Sequence, residues 1–354
     1  MIISRTPYRI SFFGGGTDYP VWYRENGGAV LSTSINKYCY ITCRYLPPFF
    51  QHKSRIVYSK IEDVKNNEDI EHPAVRETLK YLDFTDGVEI HHDGDLPART
   101  GLGSSSSFTV GLLHGLYGLK QIMPTKMKLA LEAIYMERDV LKENVGNQDQ
   151  VCAAHGGLNK ISFTTDDKVR IDPIIINMER LRLFEKHLML YFTGFSRFAS
   201  QIAAKQIRAT KNKMNELRTM YQMVDEGLNI LTTSRDLIEF GDLLHEGWLL
   251  KRSLTDLIST TVIDEIYETA RSAGAVGGKL LGAGGGGFML FFVNPDDQKR
   301  VKGALKGLLR VPFKFETGGS QVIFYEPNAY NNYKKESYTL DAMDGSSREL
   351  IWTQ

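Results

Sequence analysis

The stretch TGLGSSSSF at positions 100–108 places two glycines before four serines and a helical run. A helix start exposes unpaired backbone N–H groups and a partial positive charge, which suit an anion. Glycines let a ligand approach the backbone, and serine hydroxyls add donors or a metal ligand. A serine N-cap on a flexible turn accounts for one serine and leaves three over. No Gly-Lys-Ser/Thr follows the glycines, so the loop is not a Walker A. A second cluster, GKLLGAGGGGF at 278–288, matches G-x-G-x-x-G at Gly282, Gly284 and Gly287. The dinucleotide fingerprint must follow a strand and open a helix, whereas these glycines lead into FMLFFV, a strand-like run. That cluster is expected to be a loop bordering a site. A third, Gly14 to Gly16, lies between Arg9 and Asp18, where a surface ion pair is the plain alternative to a binding turn.

The elements that must position these residues follow from periodicity. Strands are expected at 8–13, 28–35, 38–46, 55–59, 87–92, 157–163 and 169–174, rich in β-branched and aromatic residues. Helices are expected at 72–82, 104–119 and 125–142, the last carrying Leu129, Ala133, Met136 and Val140 at helical spacing. The second half reads as strand 187–194, helices 199–231, 235–249 and 261–273, strand 286–293, helix 295–309 and strand 321–327. A boundary near 175–185 divides an N-terminal domain, 1–180, from a C-terminal one, 181–354, and mixed elements make both halves α+β. KQIRATKNKMNELR at 205–218 reads as the wet face of a helix, HHDGD at 91–95 as a strand end, and the polar run after Pro327 as a loose extension.

The 354 residues are 42% hydrophobic and 24% charged, with a formal net charge of +1. That balance suits a globular protein and offers no electrostatic grip on nucleic acid or membrane. Three cysteines, Cys39, Cys43 and Cys152, form neither a disulfide framework nor a zinc site and point to a reducing cytoplasm. Arg5 and Arg9 interrupt the N-terminal apolar run, so no signal peptide is expected, and no stretch is long and apolar enough to span a bilayer.

The three glycine clusters, in this order, resemble those of the GHMP kinases, the superfamily of galactokinase, homoserine kinase, mevalonate kinase and phosphomevalonate kinase. Thr6-Pro7-Tyr8-Arg9 stands where Ala-Pro-Gly-Arg is usual, and Thr17-Asp18-Tyr19 matches Thr-Asp-Tyr. Pro97 and Gly101 to Ser105 match the Pro-x3-Gly-Leu-Gly-Ser-Ser ATP loop, and Lys279 to Gly287 match the C-terminal glycine loop. SRTPYRISFFGGGTDYP, NVGNQDQVCAAHGGLN and YFTGFSRFAS resemble the bacterial D-glycero-D-manno-heptose 7-phosphate kinase branch. Galactokinases carry Glu and His at the positions of Gly15 and Gly16, where they contact sugar hydroxyls.

The resemblance implies a two-domain GHMP kinase fold, with an N-terminal domain like ribosomal protein S5 domain 2 and a ferredoxin-like C-terminal domain. It implies ATP and Mg²⁺ as cofactors and a small sugar phosphate as substrate, and leaves the oligomeric state open. The ATP phosphates fall to Gly101, Leu102, Gly103, Ser104, Ser105, Ser106 and Ser107. Asp149 stands at the position of the catalytic aspartate, where a carboxylate aligns the hydroxyl and accepts its proton; Arg9 is its expected partner. Ser105, placed to within one position, and Glu137 form the expected metal pair, with Glu143 a rival. Gly15, Gly16, Thr17, Asp18, Gly284 and Gly285 are expected at the substrate, with Arg197 first and Lys205 and Lys279 behind it as partners for a substrate phosphate.

Overall fold

The computed structural model describes residues 1–47, 49–194 and 199–327. The chain runs β1 (Ile2–Phe13), α1 (Pro20–Asn26), β2 (Gly28–Tyr45), β3 (Ser54–Val57), β4 (Ile61–Val64), α2 (Pro73–Tyr81), β5 (Val88–Gly94), α3 (Ser104–Leu119), α4 (Lys126–Ile134), a π-helical turn (Tyr135–Val140), α5 (Gln148–His155), β6 (Leu158–Phe163) and β7 (Val169–Pro173). It continues through α6 (Met178–His187), β8 (Leu188–Phe192), α7 (Ala199–Ala209), α8 (Met214–Thr232), α9 (Ile238–Ser253), α10 (Thr261–Ser272), β9 (Ala275–Leu280), β10 (Phe288–Val293), α11 (Gln298–Ala304), β11 (Leu309–Val311), β12 (Phe315–Glu316) and β13 (Gln321–Tyr325). The α+β expectation holds.

Two sheets organise these elements. A nine-stranded sheet has the path β13-β1-β2-β5-β3-β4, with β12 and β6 also paired to β2, and β7 to β6. A four-stranded antiparallel sheet has the order β11-β8-β10-β9. The strands expected at 28–35 and 38–46 are one strand, β2. Its register against β1 shifts between Pro7 and Tyr8, so Asn36 and Lys37 form a bulge and not a turn. The division at residue 180 also needs correction. The 175–185 segment carries α6, and β12 and β13, far down the chain, pair with β2 and β1 in the first sheet.

Other departures have local causes. The helix expected over 199–231 breaks at Thr210–Asn212, a Thr-Lys-Asn run of mostly modest helix propensity. The helix at 125–142 stops being α-helical after Ile134 and closes as the π turn. β9 (Ala275–Leu280), not expected from the sequence, runs into the start of the glycine cluster, and α11 covers only the middle of the helix expected at 295–309. The polar run after Pro327 lies outside the described residues.

α3 is the axis of the first domain, buried along most of its length. Gly111 and Gly115, one turn apart, let it lie close on the first sheet. A Cβ at Gly111 would come 2.9 Å from Thr6 Oγ1, and one at Gly115 would come 2.9 Å from Cys43 Sγ. An aromatic cluster joins the two sheets, with Phe12 of β1 packed 5.5 Å from Phe184 and 5.4 Å from Phe240. All three cysteines are free and buried. Among the described residues, no helix is long and apolar enough to cross a membrane.

Candidate active site

β1 and the first turn of α5 bring Arg9 and Asp149 together. Arg9 Nε donates to Asp149 Oδ1 at 2.7 Å and Nη2 donates to Oδ2 at 2.8 Å, a two-pronged contact matching the planar guanidinium. Its third arm, Nη1, donates to the Gly101 carbonyl at 2.7 Å, and its backbone N–H donates to the Leu102 carbonyl. Arg9 therefore ties the aspartate to the serine loop. It is 3% exposed, whereas the Asp149 side chain is 25% exposed. Burial works against the guanidinium charge, but the Asp149 carboxylate outweighs it and raises the arginine further.

The loop lies directly over this pair. Gly101 and Gly103 have φ of +86° and +76°, and a Cβ at Gly103 would come 3.2 Å from Arg9 Cγ and 3.4 Å from Asp149 Oδ2. Gly103 is the N-cap of α3, no side chain caps the helix, and its first turn has no acidic residue. Its leading N–H groups thus face a ligand position with no side-chain acceptor of their own. The four serines divide their work. Ser104 Oγ accepts from the Arg99 N–H, Ser105 is exposed, Ser106 Oγ donates to Glu137, and Ser107 Oγ donates to the Pro7 carbonyl. Leu102 is buried, so its side chain anchors the loop.

The expected metal pair shifts by one residue. Ser106, and not Ser105, meets Glu137, at 2.8 Å from Oε2, because the inward face of α3 begins at Ser106. Glu137 sits in the π turn, fully buried, and its Oε2 also accepts from Gln150 Nε2. Its Oε1 is buried with no partner, and burial pushes the carboxyl up to about 7. Glu143 is exposed. An unsatisfied carboxylate oxygen beside a hydroxyl fits Mg²⁺, which takes hard oxygen donors and few of them from protein. No cluster of three or more His, Cys, Asp or Glu side chains suited to a metal occurs among the described residues.

The Asp18 turn forms a second wall. Asp18 is 2% exposed; Oδ1 accepts from the Gly16 N–H at 2.9 Å and Oδ2 from the Gln148 N–H at 3.3 Å. Burial lifts it to about 6, with the Asp149 charge adding to the rise. Thr17 is not placed for a ligand: it is fully buried, and its hydroxyl donates to the Gly14 and Ala29 carbonyls. Gly15 and Gly16 remain in the turn beside Asp18.

The third glycine cluster braces the phosphate loop. A Cβ at Gly282 would fall on Gly101 Cα, and one at Gly287 on the Thr100 carbonyl. Gly284 and Gly285, expected at the substrate, instead pack on Ile258, where the Gly285 N–H donates to the Ile258 carbonyl. Lys251 was missed because nothing separates it from other helix lysines in the sequence. It is buried and donates to the carbonyls of Leu280 and Gly282. Lys279 is spent on the Phe12 carbonyl, at 2.6 Å. Burial, with Arg9 nearby, pushes Lys251 down to about 7 and holds Lys279 well below the usual lysine range. Lys205 pairs with Asp256. Arg197 lies outside the described residues.

The chain is similar to known kinases in sequence and in fold. The family model described as GHMP kinases N terminal domain matches residues 70–157, and the one described as GHMP kinases C terminal matches residues 228–310. A D-glycero-alpha-D-manno-heptose 7-phosphate kinase from Campylobacter jejuni is 26% identical over 86% of this chain and 93% of its own. A bifunctional fucokinase/GDP-fucose pyrophosphorylase from Arabidopsis thaliana is 24% identical over 84% of this chain and 30% of its own. The crystal structure of a D-glycero-D-manno-heptose 1-phosphate kinase from Bacteroides thetaiotaomicron superposes with a TM-score of 0.74 at 24% identity, covering 92% of this chain and all of that one. With both domain models matched in order, the chain carries the N- and C-terminal domains of the GHMP kinases, and it shares its fold with that heptose 1-phosphate kinase structure.

Proposed function

We propose that the chain is an ATP-dependent sugar-phosphate kinase that phosphorylates the anomeric C1 hydroxyl of D-glycero-D-manno-heptose 7-phosphate to the 1,7-bisphosphate. The product would feed nucleotide-activated heptose synthesis for surface polysaccharide. The observation that carries the phosphoryl-transfer reading is the Arg9–Asp149 pair lying against Gly103 at an uncapped helix start. The heptose assignment is supported by the Campylobacter jejuni relative, which aligns over most of both chains.

Phosphoryl transfer asks for positioning and charge neutralisation more than covalent chemistry. The N–H groups of the α3 first turn hold ATP phosphate oxygens. Asp149 accepts a hydrogen bond from the C1 hydroxyl and takes its proton as the oxygen bonds to the γ-phosphorus and the bond to the β,γ-bridging oxygen breaks. Arg9 holds that carboxylate in one orientation through its two parallel hydrogen bonds. An anomeric hydroxyl is more acidic than an ordinary alcohol, which lightens the demand on the base. Ser106 and Glu137 would hold Mg²⁺, whose contribution when bound is to neutralise phosphate charge.

The Arabidopsis thaliana relative favours a second reading, in which the acceptor is a free sugar such as fucose. An ADP-release screen over heptose 7-phosphate, fucose and galactose separates the two. Turnover is expected with the phosphorylated heptose, and Asp149→Asn is expected to lower kcat roughly 10³-fold while ATP binding changes little. Robust turnover of fucose and none of heptose 7-phosphate would overturn the substrate. Near-normal turnover by Asp149→Asn would remove the aspartate from its role.

A further inference from the structure

Gly15 and Gly16 leave the turn carrying Asp18 without side chains, and a different element leans into the space. α7 packs against Gly16 through Gln206. A Cβ at Gly16, whose φ is +103°, would come 2.6 Å from Gln206 Nε2 and 3.2 Å from Leu217 Cδ2. Gln206 is 6% exposed, yet its carboxamide makes no hydrogen bond among the described residues; only its backbone carbonyl is used, by the Thr210 hydroxyl. Its polar atoms are not among those sealed from solvent, unlike Gln150 Oε1 or Glu137 Oε1. A carboxamide largely withdrawn from water without a partner is unfavourable, and buried polar groups in folded chains are normally satisfied. The missing partner belongs on the open side.

A second amide borders the same turn from α5. Gln148 Oε1 accepts from Ser11 Oγ at 2.9 Å, which fixes the side chain, and Nε2 lies 4.0 Å from where a Cβ of Gly15 would stand. Asp18 supplies only acceptors, whereas an amide both donates and accepts. Together they form the kind of set that reads the hydroxyls of a sugar.

We propose that Gln206 is a substrate-binding, specificity-determining residue whose carboxamide, seated in the space that a side chain at Gly16 would fill, hydrogen-bonds a hydroxyl of the sugar held at Asp18. Glycine at position 16 and glutamine at position 206 are then one device, since any side chain at 16 would displace the amide. The inference rests on the reading of this site as a sugar pocket.

The test is steady-state kinetics of the full chain and of Gln206→Met, which keeps the length and removes the amide. D-glycero-D-manno-heptose 7-phosphate, L-fucose and monodeoxy analogues of whichever sugar turns over serve as probes. The sugar KM is expected to rise about three- to tenfold in the variant, with ATP KM unchanged. Wild type should discriminate against one monodeoxy analogue, and Gln206→Met should lose that discrimination, a change a merely structural role would not produce. Gln206→Glu, which preserves side-chain volume, provides the same comparison if the methionine variant does not fold. An unchanged sugar KM, or an equal loss toward ATP and every sugar, overturns the proposal. If wild type uses fucose and not heptose phosphate, the substrate assignment falls and Gln206 is judged on fucose. If no sugar is bound or turned over, both fall.

Discussion

Replacing Arg9 by lysine keeps a positive charge at the centre of the site and removes its geometry. The guanidinium makes three hydrogen bonds of 2.7 to 2.8 Å, two to Asp149 and one to the Gly101 carbonyl. A single ammonium reaching that far can reproduce one of them with good geometry. Bonds with a charged partner are worth about 1.5–3 kcal/mol each, so losing two gives about 3–6 kcal/mol before compensation. Water can reach Asp149, whose side chain is 25% exposed, and restores part of the loss there. The expected net destabilisation is about 2–4 kcal/mol. Activity should suffer separately, because Asp149 loses the fork that orients it; kcat is expected to fall by roughly 10²-fold. Urea unfolding near neutral pH reads the first effect and coupled ADP release the second. An unfolding midpoint equal to that of wild type, or a kcat within about twofold of it, would refute the reasoning that the fork holds aspartate and loop together.

The remaining expectations concern the loop brace and the Asp18 turn. Gly282 has φ of +71° and no room for a Cβ against Gly101, so Gly282→Ala should cost about 2–4 kcal/mol from backbone strain and overpacking, read by chemical unfolding. Its kcat should fall with it, since the displaced backbone carries the phosphate loop. Burial lifts Asp18 to about 6, so the carboxylate that accepts sugar hydroxyls is lost as pH falls through that value. A pH profile of kcat/KM for the sugar should therefore drop on its acid side with a slope of about one per pH unit, and Asp18→Asn should flatten that limb. Folding favours the protonated form of this carboxyl, so its contribution to stability is present below 3.8 and is lost as pH rises to about 6.

The parts of the site legible in the sequence were those written in local backbone chemistry. Gly101 and Gly103 stand ahead of a serine run that reads as a helix, and α3 begins at Ser104 as that pattern requires. Arg9 and Asp149, separated by 140 positions, were paired only through resemblance, because no spacing rule links a strand residue to a distant helix start. What stayed hidden depended on packing between elements. Ser105 and Ser106 are alike in sequence, and only the facing of α3 toward the π turn chooses Ser106. Gln206 was read as part of a wet helix face; the break after α7 and the closeness of Gly16 bury it instead. Lys251 lies within an ordinary helical pattern, and its use as a clamp exists only once β9 and the glycine loop have docked. In the fold, the bulge at Asn36 and Lys37 imitated a turn, and the pairing of β13 with β1 left no local trace.

The pairing of β13 with β1 also has a consequence for biosynthesis. Arg5 and Gln321, joined across these strands, are 316 residues apart in the chain. At translation rates of about 5–20 residues per second, the β1 edge waits roughly 16–60 s for its neighbour after it leaves the ribosome. During that interval the nascent N-terminal half carries an open edge with unpaired backbone groups, a template for wrong pairings. β13 thus acts as a latch, closing the first-made domain only when the second has already emerged.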